Sequence, residues 1–150
     1  MCLLAICNKR KLTKNEFNLA WKANKDGFGM AYIKDGNIYM SKGHMSLARA
    51  WEEYSKINVL PHVAHFRLAS SGNICKELCH PFLVGGPMTH PLNYAGKLPL
   101  LFHNGVISGW VNILTVLTVN NIPVPKPYND TSVMAVAVEY YLKENLDLAP

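Results

Sequence analysis

A cysteine directly after the initiator methionine has a chemical option open to no other position in a chain. Cysteine is small enough for Met1 to be cleaved, and Cys2 would then own both a thiol and a free α-amine. An amine with a reference pKa of about 7.7–8.0 is partly neutral near pH 7, so it can take the thiol proton directly or through a water. One residue would thus supply nucleophile and base. The bland reading of the same residue is an inert thiol at the head of an apolar strand. His65, His80 and His103 also invite a reading as catalytic bases. If the terminal amine is the base, their expected role is to order loops by hydrogen bonds. Cys75-x3-Cys79-His80 has some of the character of a zinc knuckle. A closed zinc site takes a second Cys/His knuckle, which is not evident here, so partly buried thiols are expected and neither metal nor cofactor is assigned.

Four further segments follow Cys2 in a fixed order: Asn24-Lys25-Asp26-Gly27-Phe28-Gly29, His65-Phe66-Arg67-Leu68-Ala69-Ser70-Ser71-Gly72, His103-Asn104-Gly105-Val106-Ile107 and Asn129-Asp130-Thr131. His80-Pro81-Phe82 lies between the second and third. In this order and register the chain resembles the glutaminase domain of class II glutamine amidotransferases, the N-terminal-nucleophile hydrolases found in asparagine synthetase, glutamate synthase and purine amidophosphoribosyltransferase. The resemblance runs from Cys2 to about Glu139, and its specificity lies in the set rather than in any one motif. This chain has Leu3 where the family often has Gly, Leu68 where it has Trp, Ser71 where it has His and Ser132 where it has Glu. The family's domain usually continues past the helix that follows Asp130. Residues 1–150 are therefore expected to be either the N-terminal portion of such a domain or a shortened relative of it.

The resemblance implies a four-layer αββα sandwich in which an N-terminal strand presents the nucleophile at the edge of stacked antiparallel sheets. It also implies a reaction, glutamine plus water giving glutamate plus ammonia through a thioester on Cys2. By the same carry-over, Arg67 would hold the substrate α-carboxylate, Asp130 its α-ammonium, and Ser70 would join them in substrate binding. Asn104 and Gly105 would form the oxyanion hole, the former by its side-chain amide and the latter by its backbone N–H. A planar, permanently charged guanidinium suits a carboxylate, and fixed donors suit a charge that appears only in the tetrahedral intermediate. Taken singly, Arg67 reads as a surface ion pair, Asp130 as a helix N-cap and Asn104-Gly105 as a turn. The implied recipient of the ammonia is a synthase partner or a C-terminal domain, with stand-alone hydrolysis as the third option. Hydrolysis of another amide on the same fold, or a noncatalytic binding module that retains it, are the alternatives.

The elements that must position these residues are legible from period and punctuation. Residues 2–7 are a continuous apolar run and read as a buried first strand. Thr13 with Glu16 three residues on is a capping-box pattern for a helix to about Asn24. Lys34-Asp35-Gly36 between β-prone runs 28–33 and 37–41 predicts a hairpin. A helix over 46–56 and a strand over 59–66 follow. From Ala69 to Pro99, breakers such as Pro81, Pro87, Pro91 and Gly85-Gly86 predict a long loop with short strands in it. A strand over 98–102, a helix over 108–120, a Pro-rich linker over 122–128 and a last helix over 131–145, capped from Asn129-Asp130-Thr131, complete the reading. Trp21, Trp51 and Trp110 are expected in the core or a groove.

Composition narrows the class. At 49% hydrophobic and 17% charged residues, 150 residues suffice for one core. Fifteen Lys and Arg against 10 Asp and Glu give +5, but the excess is scattered apart from Lys9-Arg10-Lys11, which argues against nucleic acid as a partner. No apolar run approaches the ~20 residues of a membrane span. Cys2, Cys7, Cys75 and Cys79, with no export signal, are expected to be reduced thiols, and the expected compartment is the cytoplasm.

Overall fold

Strand pairing brings the N-terminus against the middle of the chain. The computed structural model describes the backbone of residues 1–146 and the side chains through Glu144. In chain order the elements are β1 (Leu3–Cys7), α1 (Lys14–Ala23), β2 (Phe28–Lys34), β3 (Asn37–His44), α2 (Leu47–Ser55), β4 (His62–Phe66), β5 (Phe82–Leu83), β6 (Asn93–Gly96), β7 (Leu100–Leu101), α3 (Trp110–Val119) and α4 (Asp130–Leu146). A 3-10 turn, Lys76–Leu78, precedes β5. The fold is mixed α+β with antiparallel sheets. The main sheet has the order β1-β4-β2-β3-β6, and β5 pairs with β7 in a second sheet. Among the described residues no helix is long and apolar enough to cross a membrane.

Local chemistry accounts for most boundaries. Thr13 Oγ1 accepts from Glu16 N–H and the Glu16 carboxylate accepts from Thr13 N–H, so the capping box is complete. Asp35 (φ 49°) and Gly36 (φ 69°) both take the left-handed conformation that a two-residue hairpin turn needs. Ser46 caps α2 through Arg49 N–H. α4 begins one residue earlier than expected, at Asp130, because Asn129 is its cap: Asn129 Oδ1 accepts from Ser132 N–H at 2.9 Å, and Ser132 Oγ accepts from Asn129 N–H at 2.9 Å.

Two strands are shorter than their apolar runs. The 59–66 run pairs only from His62, since Pro61 has no N–H to give to a ladder. The 98–102 run pairs only at Leu100–Leu101. Leu98 N–H goes to Tyr94 Oη at 2.8 Å, and Pro99 offers only its carbonyl, which accepts from Val84 N–H at 2.9 Å.

The two faces of the main sheet serve different purposes. Phe28, Met30, Ala64 and Phe66 point to α1 and α2 and close on Phe17, Ala20, Ala50 and Tyr54. Phe17 is the hub, with ring centroids 4.8–5.3 Å from Phe28, Trp51, Tyr54 and Phe66. Alternation sends Gly29, its partner on β3, Lys42, and its partner on β4, His65, to the other face. There the Lys42 ammonium lies 4.2 Å from the centroid of Phe82 on β5. A second cluster, Leu78, Phe82, Val84 and Ala135, joins this layer to α4, and α3 lies against α4.

Candidate functional site

Cys2 sits one step beyond the last pair of the β1–β4 ladder, Leu3 with Phe66, and the same register sets it opposite Arg67. The contact that results is with Leu68. Its N–H donates to Cys2 Sγ and the thiol donates to its carbonyl, both at 3.4 Å. The turn after β4 is held from the other side by Asp26-Gly27. Arg67 N–H donates to Gly27 O at 2.8 Å, Asp26 N–H to Arg67 O at 2.9 Å, and Ala69 N–H to Asp26 Oδ2 at 2.9 Å.

Arg67 is buried at 2% exposure, yet it is in no ion pair among the described residues. Its guanidinium donates to two backbone carbonyls, Asn73 O at 3.0 Å and Ser71 O at 3.1 Å. Carbonyls orient a cation but do not neutralise it. A buried charge without a counter-ion is costly, so an anion placed beside this guanidinium would be stabilised by it. Ser71 also reaches α4, accepting at Oγ from Asp130 N–H at 3.4 Å.

Asp130 is buried and does not cap its own helix. Its Oδ2 accepts from Ile107 N–H at 3.0 Å and its Oδ1 from Thr131 N–H at 2.8 Å. The Asn104-Gly105 segment therefore runs against the N-terminus of α4. Gly105 has φ 153°, and neither its N–H nor the exposed Asn104 side chain has a hydrogen-bond partner among the described residues. Two donors are left open. Ser70 is exposed on the same turn as Arg67 and makes no side-chain hydrogen bond among the described residues.

No protein-family model and no curated protein matches this chain. The functional reading rests on the residues themselves.

His65, His80 and His103 pack around this centre. His65 Nε2 lies 3.3 Å from His103 O, a carbonyl that can only accept, so Nε2 carries the hydrogen. The His65 and His80 rings are 4.2 Å apart, and the Nδ1 atom of each is buried without a partner. Burial pulls His65 down to about 4 and His80 well below the usual imidazole range, the latter with help from the His65 charge. At neutral pH both are poor proton acceptors.

Glycines allow the layers to meet here. A Cβ on Gly29 would lie 1.9 Å from His80 O, and one on Gly27 would lie 2.3 Å from Cys79 Sγ. Cys79 Sγ faces Met45 Sδ at 3.7 Å while His80 Nε2 faces Thr131 Oγ1 at 3.0 Å. No group of three His, Cys, Asp or Glu side chains suited to a metal ion occurs among the described residues. A cavity of about 330 Å³ between α4, β5 and the 121–125 segment, lined by Met40, Phe82, His90 and Tyr140 among others, touches none of Cys2, Arg67, Asn104 or Asp130.

Sequence reasoning thus named the segments that converge but missed the residues that tie them. Asp26, Ser71 and Thr131 lay inside the quoted motifs without a role. Their signal was position beside a named residue. Lys42, buried across from Gly29, had no signal in the sequence, because nothing local distinguishes it from an exposed lysine.

Proposed function

We propose that this chain carries the glutaminase site of a class II glutamine amidotransferase domain and that it hydrolyses the side-chain amide of glutamine. The observation that carries the reading is the buried, unneutralised Arg67 beside Cys2, a cation awaiting an anion within one residue of a thiol. The α-carboxylate of an amino acid meets that need, and Asp130 offers the opposite charge for the α-ammonium. On this reading α1 with α2, the main sheet, the β5–β7 pair and α4 with α3 correspond to the four layers of an αββα sandwich.

The chemistry follows from the residues. With Met1 removed, the Cys2 amine takes the thiol proton and the thiolate attacks the amide carbon. The Asn104 side-chain amide and Gly105 N–H meet the resulting oxyanion. Collapse breaks the carbon–nitrogen bond, and the Cys2 ammonium returns its proton to the leaving group, which departs as ammonia. A water then attacks the thioester, giving glutamate and the free thiol. The synthase that would use the ammonia is a partner or a further domain.

The test joins intact mass to turnover on the full chain. We expect the protein to begin at Cys2, to release glutamate from glutamine, and to take up one equivalent of a glutamine analogue bearing an electrophilic ketone. Cys2→Ala should lose both reactions. Turnover by protein that keeps Met1 quantitatively would sink the terminal-amine mechanism. Folded protein starting at Cys2 that neither turns over nor labels would overturn the glutaminase reading itself.

A further inference from the structure

The segment carrying Asn104 and Gly105 is held at its ends and left open in its middle. His103 O accepts from His65 Nε2–H, Ile107 N–H donates to Asp130 Oδ2, and the His103 ring reaches Thr131 Oγ1 through Nδ1 at 3.3 Å. The last of these contacts is shared. His80 Nε2 lies 3.0 Å from the same hydroxyl, and Thr131 Oγ1 can donate to Asp130 Oδ1 at 3.4 Å.

Hydrogen counting assigns every role at this junction. A hydroxyl has one hydrogen and can accept two. His80 Nδ1 is buried with no partner, so a hydrogen placed there would be an orphaned donor; the hydrogen belongs on Nε2, aimed at Thr131. His103 Nδ1 also lies 4.0 Å from Asp130 Oδ2, and the carboxylate favours a hydrogen on that nitrogen. Thr131 then accepts from both imidazoles and gives its own hydrogen to Asp130. All the bonds fit only in this arrangement.

We propose that Thr131 is the positioning residue that sets the Asn104-Gly105 segment against Asp130, through one hydroxyl shared by His80, His103 and Asp130. This rests on the glutaminase reading, since the placement of the segment affects a rate only if Asn104 and Gly105 meet the oxyanion. On this reading Thr131, buried at 1% exposure with His80, His103 and Asp130 as its side-chain partners, contacts neither substrate nor reacting atoms. It acts by holding the His103 ring, and so the two open donors beside it, in register with the group that binds the substrate's ammonium. Loss of the hydroxyl should then reduce transition-state stabilisation more than binding, because Asp130 keeps its bond to Ile107.

The experiment compares wild type, Thr131→Ser and Thr131→Val, using imidazole ¹⁵N shifts for tautomers and steady-state glutaminase kinetics. Wild type and Thr131→Ser should show His80 as the Nε2–H and His103 as the Nδ1–H tautomer. Thr131→Val should release His80 from a single tautomer and lower kcat about 10- to 100-fold, with KM changed less than about threefold, whereas Thr131→Ser stays near wild type. The tautomer arm requires no turnover, so it remains decisive if the protein proves not to be a glutaminase, and its wild-type spectrum remains decisive if Thr131→Val fails to fold. Wild-type His103 protonated at Nε2 overturns the assignment. Folded Thr131→Val with wild-type kcat, or Thr131→Ser as impaired as Thr131→Val, overturns the positioning role.

Discussion

Lys42 shows how one residue can oppose the fold that contains it. It is 3% exposed, its ammonium donates to Glu77 O at 3.0 Å, and its nearest aromatic is Phe82, but it is in no ion pair among the described residues. Burial pulls it down from 10.5 to about 8. The folded state therefore binds this proton more weakly than the unfolded state. The penalty is present in full below pH 8, fades between about 8 and 10.5, and is gone above that. Stability should rise with pH across this window by an amount on the order of 3 kcal/mol attributable to Lys42. Lys42→Met keeps a long flexible side chain and removes the charge, so the variant should lack that rise and be at least as stable as wild type at pH 7. Urea unfolding from pH 7 to 10.5 reads the difference. Parallel curves for the two proteins would show that the ammonium is solvated rather than buried.

The first helix illustrates what an element owes to its cap and what to its packing. Thr13 and Glu16 satisfy each other's N–H groups, and Arg10 adds a bidentate pair to the same carboxylate at 2.7 Å. Arg10 is the main cause of the fall of the Glu16 carboxyl to about 2, followed by the bonds from Thr13. Thr13→Ala should cost about 1 kcal/mol in unfolding free energy while α1 survives, because Phe17 and Ala20 remain buried against the sheet. Thermal unfolding with the helical circular dichroism of the native state checks both halves of that statement. α3 is the opposite case. Its sequence is mostly apolar, interrupted by Asn112, Thr115 and Thr118, yet only Leu117 is buried while Val111, Val116 and Val119 are exposed. Apolar spacing marks a helix there without saying which side is covered.

At the scale of the whole molecule, two layers meet over a glycine. A Cβ on Gly29 would approach His80 O to 1.9 Å and Lys42 Cβ to 2.7 Å, and neither neighbour is the free end of a flexible side chain. Gly29→Ala must push the His80-Pro81 segment off the sheet, and with it the His80 bond to Thr131. A loss of at least about 3 kcal/mol is expected, the upper range for an overpacked core. Gly36→Ala is the control. It is strained by its left-handed conformation, but its Cβ meets only Lys97 Nζ at 3.3 Å, so about 1–2 kcal/mol is expected. Equal losses for the two variants in urea unfolding would show that backbone conformation, not the approach of the layers, makes Gly29 necessary.

The sequence by itself determined the local pieces. Thr13 and Glu16 announced a helix, Asp35-Gly36 a hairpin, and five short segments the positions where chemistry could gather. Each of these signals is settled within a few residues, by a period, a cap or a φ angle that few side chains adopt. Tertiary structure decided everything that depends on residues far apart in the chain. Only the insertion of β4 between β1 and β2 brings Leu68 to Cys2, 66 residues away, and only that pairing lets Asp26-Gly27 clamp the Arg67 turn. The same holds where local reading failed. Pro61, and Tyr94 taking the Leu98 N–H, shortened two apolar runs that periodicity alone made into full strands. Asn129 took the cap and freed Asp130 for Ile107. Hydrogen-bond partners are assigned by proximity in the folded chain, and a backbone donor spent on one acceptor is lost to every other.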